Sequence, residues 1–358
     1  MEGACPHFGS CGGCTLQHLD DTAYIARKSE LLTIALHRAG YTDFALKSIC
    51  RTGPGERRRM DLAAVRTRDG ISLGLHRQRS GEVVDLATCL VLHPTLVALF
   101  SPLRNLLRRL QSVRREASVV ANLLDSGPDL LLRTDAPLTL PDRLALSDFA
   151  RAQSLLRISW ARDNDEPEPI AILHPPTIEL YGVTITLPPG AFLQASPSGE
   201  AAIINAVLAA LPSKGRIAEL YAGCGSLTFA LARKARIAAW EGDATSIIAL
   251  RSAANHANPS GRVEVTQRDL ARQPLQSKEL SAFSVIVLDP PFAGAAAQTV
   301  QVAAAKIPVV IYVSCNPATL ARDARTLHQA GYRLTAAQPI DQFLWSGESE
   351  SVCAFAVK

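Results

Sequence analysis

Three apolar runs in the second half of the chain each stop at a polar or Gly/Pro turn. Val309-Val310-Ile311-Tyr312-Val313 sets five β-branched or aromatic residues in a row and predicts a buried strand, closed by Ser314-Cys315-Asn316-Pro317. Ser284-Val285-Ile286-Val287-Leu288 predicts a second strand, ending in Asp289-Pro290-Pro291-Phe292. Arg216-Ile217-Ala218-Glu219-Leu220-Tyr221 predicts a third, running into Ala222-Gly223-Cys224-Gly225-Ser226. Further strands are expected at 236–241, 262–266 and 332–337, with Cys353-Ala354-Phe355-Ala356-Val357 closing the sheet and alanine-rich helices in between. Strand and helix in alternation predict an α/β fold, a doubly wound domain over 188–358. Such sheets bind ligands outside the carboxyl ends of their strands, so three loops are expected to point at one crevice.

The first half has a different pattern. Residues 20–38 predict a helix, with an acidic start at Asp20-Asp21, apolar Leu31, Leu32, Ile34, Ala35 and Leu36, and Gly40 as a stop. Residues 58–87 alternate and contain the turns Arg68-Asp69-Gly70 and Ser80-Gly81, which predict hairpins. Residues 93–112 predict one helix with Leu99, Leu103, Leu106, Leu107 and Leu110 on a single face. Residues 116–187 read as short strands and turns around a charged, Pro-containing loop at 162–169. A central antiparallel α+β domain is therefore expected over 46–187, behind a cysteine-rich segment and helix at 1–45. In the second domain, Gly190-Ala191-Phe192-Leu193-Gln194-Ala195-Ser196-Pro197 leads into an amphipathic helix at 199–211.

A length of 358 residues allows two or three domains, and 47% hydrophobic with 20% charged residues places the chain among ordinary globular proteins. Charges or prolines interrupt every apolar run before it could span a bilayer, so no membrane partner is expected. Met1-Glu2-Gly3-Ala4-Cys5 offers neither a basic nor an apolar leader region, and a cytoplasmic protein is expected. The net charge of +4 decides little, but its distribution matters. Between Arg51 and Arg115 stand 13 arginines, no lysine and 5 acidic residues, a local balance of +8. Arginine suits bidentate phosphate contacts, so this stretch is either a solvated basic face or a nucleic-acid surface.

Eight cysteines in a cytoplasmic chain are not expected to form structural disulfides. Cys5, Cys11 and Cys14 follow a C-x5-C-x2-C spacing, with Gly12-Gly13 letting the close pair converge. Three soft ligands in ten residues call for a fourth: Cys89 first, Cys50 second. Zinc and an iron–sulfur cluster both suit such thiolates, and His7 or His18 could complete a zinc site.

The turn after the third run, Tyr221 to Thr228, is glycine-rich and opens a helix. Ile237-Ala238-Ala239-Trp240-Glu241 ends about twenty residues later in an acid, placed to accept hydrogen bonds from both ribose hydroxyls of an adenosine ligand. Most phosphate-binding glycines and any Walker lysine are missing, which favours S-adenosylmethionine over NAD. Asp289-Pro290-Pro291-Phe292 forms a rigid loop without amide donors at its prolines. That loop also resembles the signature of methyltransferases acting on exocyclic amines. Cys315 separates the two, because amine methylation needs no nucleophile whereas an unactivated pyrimidine ring carbon does.

Taken together, these motifs resemble the S-adenosylmethionine-dependent RNA uridine-5-methyltransferase family, and within it the iron–sulfur rRNA members. The resemblance runs from Cys5-x5-Cys11-Gly12-Gly13-Cys14 with Gln17, through Cys89, Phe192-Leu193-Gln194, Glu219 to Gly225, Asp289-Pro290-Pro291 and Ser314 to Pro317, to Glu350-Ser351-Val352. It implies a Rossmann-like class I methyltransferase domain, and a 4Fe–4S cluster on Cys5, Cys11, Cys14 and Cys89. It also implies cofactor contacts from Gln194, Tyr221, Glu241 and Asp289, Cys315 as nucleophile and Glu350 as base. RNA, 23S rRNA first, is the implied partner of a monomeric enzyme. Because the cysteine motif starts at residue 5, the N-terminal β-barrel RNA-binding domain of some relatives is not expected. Phe292, Ser196 and Glu348-Ser349 stand where the family usually has Arg, Asn and His-Val. The competing expectations are an exocyclic-amine methyltransferase and a non-catalytic, cluster-bearing RNA-binding protein.

Overall fold

The computed structural model describes residues 5–257 and 261–357. Residues 1–4, part of the stretch that argued against a leader, lie outside them. An eight-stranded sheet organises the C-terminal half, in the order Cys50–Arg51, Tyr332–Asp341, Glu350–Val357, Val309–Ser314, Val285–Leu288, Ile217–Leu220, Ile237–Glu241 and Val263–Gln267. Glu350–Val357 is antiparallel to both its neighbours, and the other pairs run parallel. Ile217–Leu220 and Val285–Leu288 are buried at every residue, because helices cover both faces. Side chains of these strands therefore divide by parity. Ile217, Val285, Val287, Ile311 and Val313 face one core. Ala218, Leu220, Ile286, Leu288, Val310 and Tyr312 face the other. The order reverses between Ile217–Leu220 and Val285–Leu288, and at such a switch point the connections diverge and leave a crevice. The doubly wound expectation holds, with most strand limits shifted by one residue and the last two strands longer than expected, by four residues at Asp341 and three at Glu350.

The central sheet has seven strands and covers residues from Arg59 to Ile172. It is antiparallel except where Gly127–Thr134 runs parallel to Arg157–Arg162. That exception corrects the all-antiparallel expectation, and the helix Leu140–Ala152 makes the crossover. Its start was legible: Thr139 and Asp142 form a reciprocal capping box around Pro141. The single helix expected over 93–112 is two, Pro94–Val97 and Phe100–Arg109, although Leu99, Leu103, Leu106, Leu107 and Leu110 are all buried as its apolar face requires.

The expected domain limits also move. Leu46 bridges Ala337, and Cys50–Arg51 pairs with Ile340–Asp341, so residues 46–51 edge the large sheet. Ile178, Leu180, Ile185 and Leu187 pack in the same core as Ile203 and Ile217, which ties the hairpin at 177–186 to the C-terminal half. The helix Asp21–Ala39, capped by Asp20 and stopped at Gly40 with φ 105°, lays Leu32, Ala35, Leu36 and Ala39 onto the large sheet's second core.

One polar contact fastens that helix. Lys28 is fully buried, with its Nζ 2.8 Å from Asp341 Oδ1, and it also donates to the carbonyls of Phe343 (3.0 Å) and Glu348. Tyr24 donates its hydroxyl to Asp341 Oδ2 at 2.5 Å and accepts from Trp345 N at 2.8 Å. Burial pulls the Lys28 ammonium below its ordinary range, and Asp341 opposes that pull. Lys28→Met strands a buried carboxylate and is expected to cost about 3–5 kcal/mol in urea unfolding; a loss within about 1 kcal/mol would contradict the clamp.

Candidate active site

The crevice is built from strand ends. In the antiparallel pair Val309–Ser314 and Glu350–Val357, Ser314 stands opposite Ser351, and Ser351 Oγ donates to Ser314 O at 3.2 Å. The next step along the same register sets Cys315 against Glu350, and directly opposed residues of antiparallel strands share a face. The turn that follows is rigid. Asn316 N donates to Ser314 Oγ at 3.2 Å, and Asn316 Oδ1 accepts from Ala318 N at 3.0 Å to cap the helix Pro317–Gln329. Asn316 Nδ2 donates to Phe292 O at 2.9 Å, which joins this turn to the Asp289-Pro290-Pro291-Phe292 loop.

Behind these loops runs a buried chain of amides and carboxylates. Gln194 Nε2 lies 3.5 Å from Asp289 Oδ2. Gln342 Nε2 donates to Gln194 Oε1 at 2.9 Å and to Glu350 Oε2 at 2.8 Å. Glu350 is pushed up to about 8, by burial first and then by the Asp289 charge. Burial alone carries Asp289 up to about 7. The Cys315 thiol is pushed up to about 12, by burial and then by the charges of Glu350, Asp289 and Glu348.

The other expected ligand residues gather at the switch point. Tyr221 follows Ile217–Leu220 in the left-handed region, φ 68°, and its N–H bonds to Trp240 O at 2.9 Å. Glu241 Oε2 accepts from Gly223 N at 2.8 Å, while Oε1 accepts from the amides of Gly242 and Asp243. Gly225 has φ 106°, and a Cβ there would lie 2.7 Å from Leu250 Cδ1, so only glycine lets the turn close on its helix. Glu219 and Gln342 are the residues the sequence reading missed as members of this site. Glu219 is buried and pushed up to about 8, and a carboxylate inside an apolar strand was its signal. Gln342 had no local signal, because its partners are 148 and 8 residues away.

Cys5, Cys11, Cys14 and Cys89 line one cavity of 540 Å³, together with Gln17 and Glu348. Cys50 lies in the large sheet instead, paired with Ile340, and is not among the residues lining that cavity. Burial, then the neighbouring Cys89, Cys11 and Cys5 thiols, push Cys14 up to about 12. Gln17 Oε1 accepts from Cys5 N at 3.3 Å, and its Nε2 is buried without a partner. Among the described residues, no three His, Cys, Asp or Glu side chains converge tightly enough to hold a single metal ion. The cavity backs onto the loop before Glu350, where the amides of Thr15 and Leu16 donate to Trp345 O at 2.8 and 2.9 Å.

Much of the arginine-rich stretch is used internally. Arg58 is buried, pairs with Glu200 at 3.1 Å and donates to Gln194 O at 3.2 Å. Arg66 donates to the carbonyls of Val113, Arg108, Leu107 and Leu110 and closes the end of a helix. Arg59 stacks its guanidinium 5.4 Å from the ring of Phe192, which is 63% exposed. Arg68, Arg79, Arg108, Arg109 and Arg114 remain exposed.

Residues 187–355 match the model of the tRNA (uracil-5-)-methyltransferase family. The chain is 38% identical over 354 residues to an uncharacterized RNA methyltransferase of Mesorhizobium japonicum, an alignment covering 98% of this chain and 84% of that one. It is 33% identical over 361 residues to the 23S rRNA (uracil(1939)-C(5))-methyltransferase of Yersinia enterocolitica, covering 98% of this chain and 80% of that one. The Pyrococcus abyssi tRNA (uracil-54, C5)-methyltransferase, solved in complex with S-adenosyl-L-homocysteine, superposes with a TM-score of 0.72 at 20% identity, over 97% of this chain and 86% of that one. At that identity the likeness is one of fold.

The two classes of arginine are expected to separate by mutation. Arg58→Ala removes one partner of a buried pair and should destabilise the fold by about 3–5 kcal/mol in urea unfolding, whereas Arg109→Ala should stay within about 0.5 kcal/mol. Equal effects would contradict the assignment.

Proposed function

The chain belongs to the S-adenosylmethionine-dependent RNA uracil-5-methyltransferase family, and from that premise we propose that it methylates carbon 5 of a uridine in 23S rRNA, with Cys315 as nucleophile and Glu350 as base. The observation that carries the assignment of roles is the register of Ser314 with Ser351, which sets those two side chains against each other. Uracil carbon 5 is too weak a nucleophile to take a methyl group unaided. Burial and the nearby carboxylates keep the Cys315 thiol protonated at rest, and because the residue is only half-buried its proton leaves to solvent as the sulfur attacks. The thiolate adds to carbon 6 and forms an S–C6 bond, which leaves carbon 5 with the electron pair of an enolate. S-adenosylmethionine supplies the methyl group as a sulfonium. Once the C5–CH3 bond has formed, Glu350 takes the carbon 5 proton, the C5–C6 double bond returns, and Cys315 leaves as thiolate.

On the cofactor side, Glu241 has the position to accept from ribose hydroxyls, and Gln194, Tyr221 and Asp289 line the same crevice. The buried carboxylates suit a ligand that carries positive charge. For the RNA, the exposed arginines of the central domain offer phosphate contacts, and the target base must be unstacked to reach Cys315. Phe292 is 63% exposed at the rim and keeps the exocyclic-amine reading open as a second possibility. Amine chemistry gives Cys315 and Glu350 no task.

The four thiols lining one cavity fit a soft metal group, and the family resemblance makes a 4Fe–4S cluster the reading here, with zinc as the alternative. Its role is structural, joining the N-terminal segment, the central domain and the loop that ends at Glu350. No electron is needed in the methyl transfer, and no step passes through it.

Incubation of 23S rRNA with enzyme and methyl-labelled cofactor, followed by nuclease digestion, should yield labelled 5-methyluridine. Cys315→Ala should abolish the label, and label in a methylated adenine or guanine would shift the reading to amine chemistry. Glu350 must be ionised to act as base, so turnover should rise through pH 8 and fall away below it, because the group is then protonated. A rate flat from pH 6 to 9 would contradict that role. Cys89→Ser should lose iron in anaerobically purified protein and lower RNA affinity more than cofactor affinity. A variant that keeps full iron would move the fourth ligand elsewhere, and stoichiometric zinc would replace the cluster while keeping the staple.

A further inference from the structure

Gln342 is only 2% exposed, yet both ends of its side-chain amide have hydrogen-bond partners. Ala195 N–H donates to Gln342 Oε1 at 3.1 Å. A backbone N–H can only donate, so the amide has one orientation and its NH2 must face Gln194 Oε1 and Glu350 Oε2. That orientation is passed on. Gln194 must then turn its own NH2 toward Asp289. Gln342 is also held mechanically. A Cβ on Gly199 would stand 2.6 Å from Gln342 Cβ, so the first turn of the helix Pro197–Ala209 presses directly on it. Its neighbour Asp341 is clamped by Lys28 and Tyr24.

We propose that Gln342 is the positioning residue for proton removal: it holds one oxygen of Glu350 through an N–H donor and so orients the carboxylate toward the carbon 5 proton. The proposal rests on the base role given above to Glu350. The local charges agree with it. Glu350 meets Asp289 from the end of Val285–Leu288 and Cys315 from the end of Val309–Ser314, and Glu348 in its own loop acts on the same Cys315. Farther back, Lys28 and Arg58 are already paired with Asp341 and Glu200. The nearby groups named here are therefore acidic or neutral, and the Gln342 amide is the side-chain donor that favours the carboxylate form.

The test separates addition from elimination. On RNA carrying 5-fluorouridine, the base cannot shed its carbon 5 substituent as a proton, so the enzyme stalls as a covalent adduct whether or not Glu350 works. Gln342→Leu should form that adduct at the wild-type rate. On ordinary uridine RNA the same variant should turn over roughly 10- to 100-fold more slowly at pH 7, a fraction of what a general base contributes. It should accumulate a protein–RNA adduct that wild type does not, and its rise in rate with pH should move to higher pH. Wild-type turnover with an unmoved pH profile would overturn the proposal. Loss of the fluorouridine adduct in the variant alone would also overturn it, because Gln342 would then act before proton removal. If wild type itself forms no adduct, the Cys315 reading fails instead. Should Gln342→Leu not fold, Gln342→Met, close in volume and without a donor, takes its place; failure of both to fold would make the residue purely structural and overturn the proposal.

Discussion

The antiparallel pairing of Val309–Ser314 with Glu350–Val357 is the constraint from which the reaction geometry follows. Two residues 35 positions apart in sequence meet because the strand that ends the chain inserts antiparallel between two parallel neighbours. A slip of one residue would turn Glu350 to the opposite face, away from Cys315. The six residue pairs along this ladder, all buried or nearly so on Val309–Ser314, oppose such a slip. Chemistry at the crevice therefore draws its precision from the sheet and only its reach from the loops.

The crevice collects carboxyl groups. Glu219 and Glu350 are buried and Asp289 is half-buried, and desolvation raises all three, with Glu241 at the next strand end. Such crowding is unfavourable for the protein alone and favourable for a cationic ligand, since a sulfonium placed among carboxylates offsets the field that raises the Cys315 thiol. The N-terminal segment reaches the same region. Lys28, Tyr24 and the Thr15 and Leu16 amides grip residues 341–348 from behind, so the thiol cavity and Glu350 share one loop.

Legibility followed the range of the forces involved. Continuous apolar runs made the parallel strands readable, since full burial leaves no alternation to confuse them. The placement of Cys315, Asp289 and Glu241 at strand ends around one crevice was readable, because each follows a continuous apolar run. Gln342 was not, because its three polar partners come together only in the folded chain. Arg58 looked like an RNA contact by charge and is instead an internal tie to Glu200, a distinction that depends on burial and not on composition. The helix Leu140–Ala152 had its Thr139-Asp142 capping box in plain view, but the surrounding short apolar segments suggested strands.

Peptide mapping of the adduct formed with 5-fluorouridine RNA and S-adenosylmethionine tests the central claim most directly. Proteolysis and mass spectrometry should place the nucleotide on the peptide that contains Cys315, carrying the transferred methyl group. An adduct on Cys224 or Cys353, or methylated RNA with no adduct at all, would contradict the account.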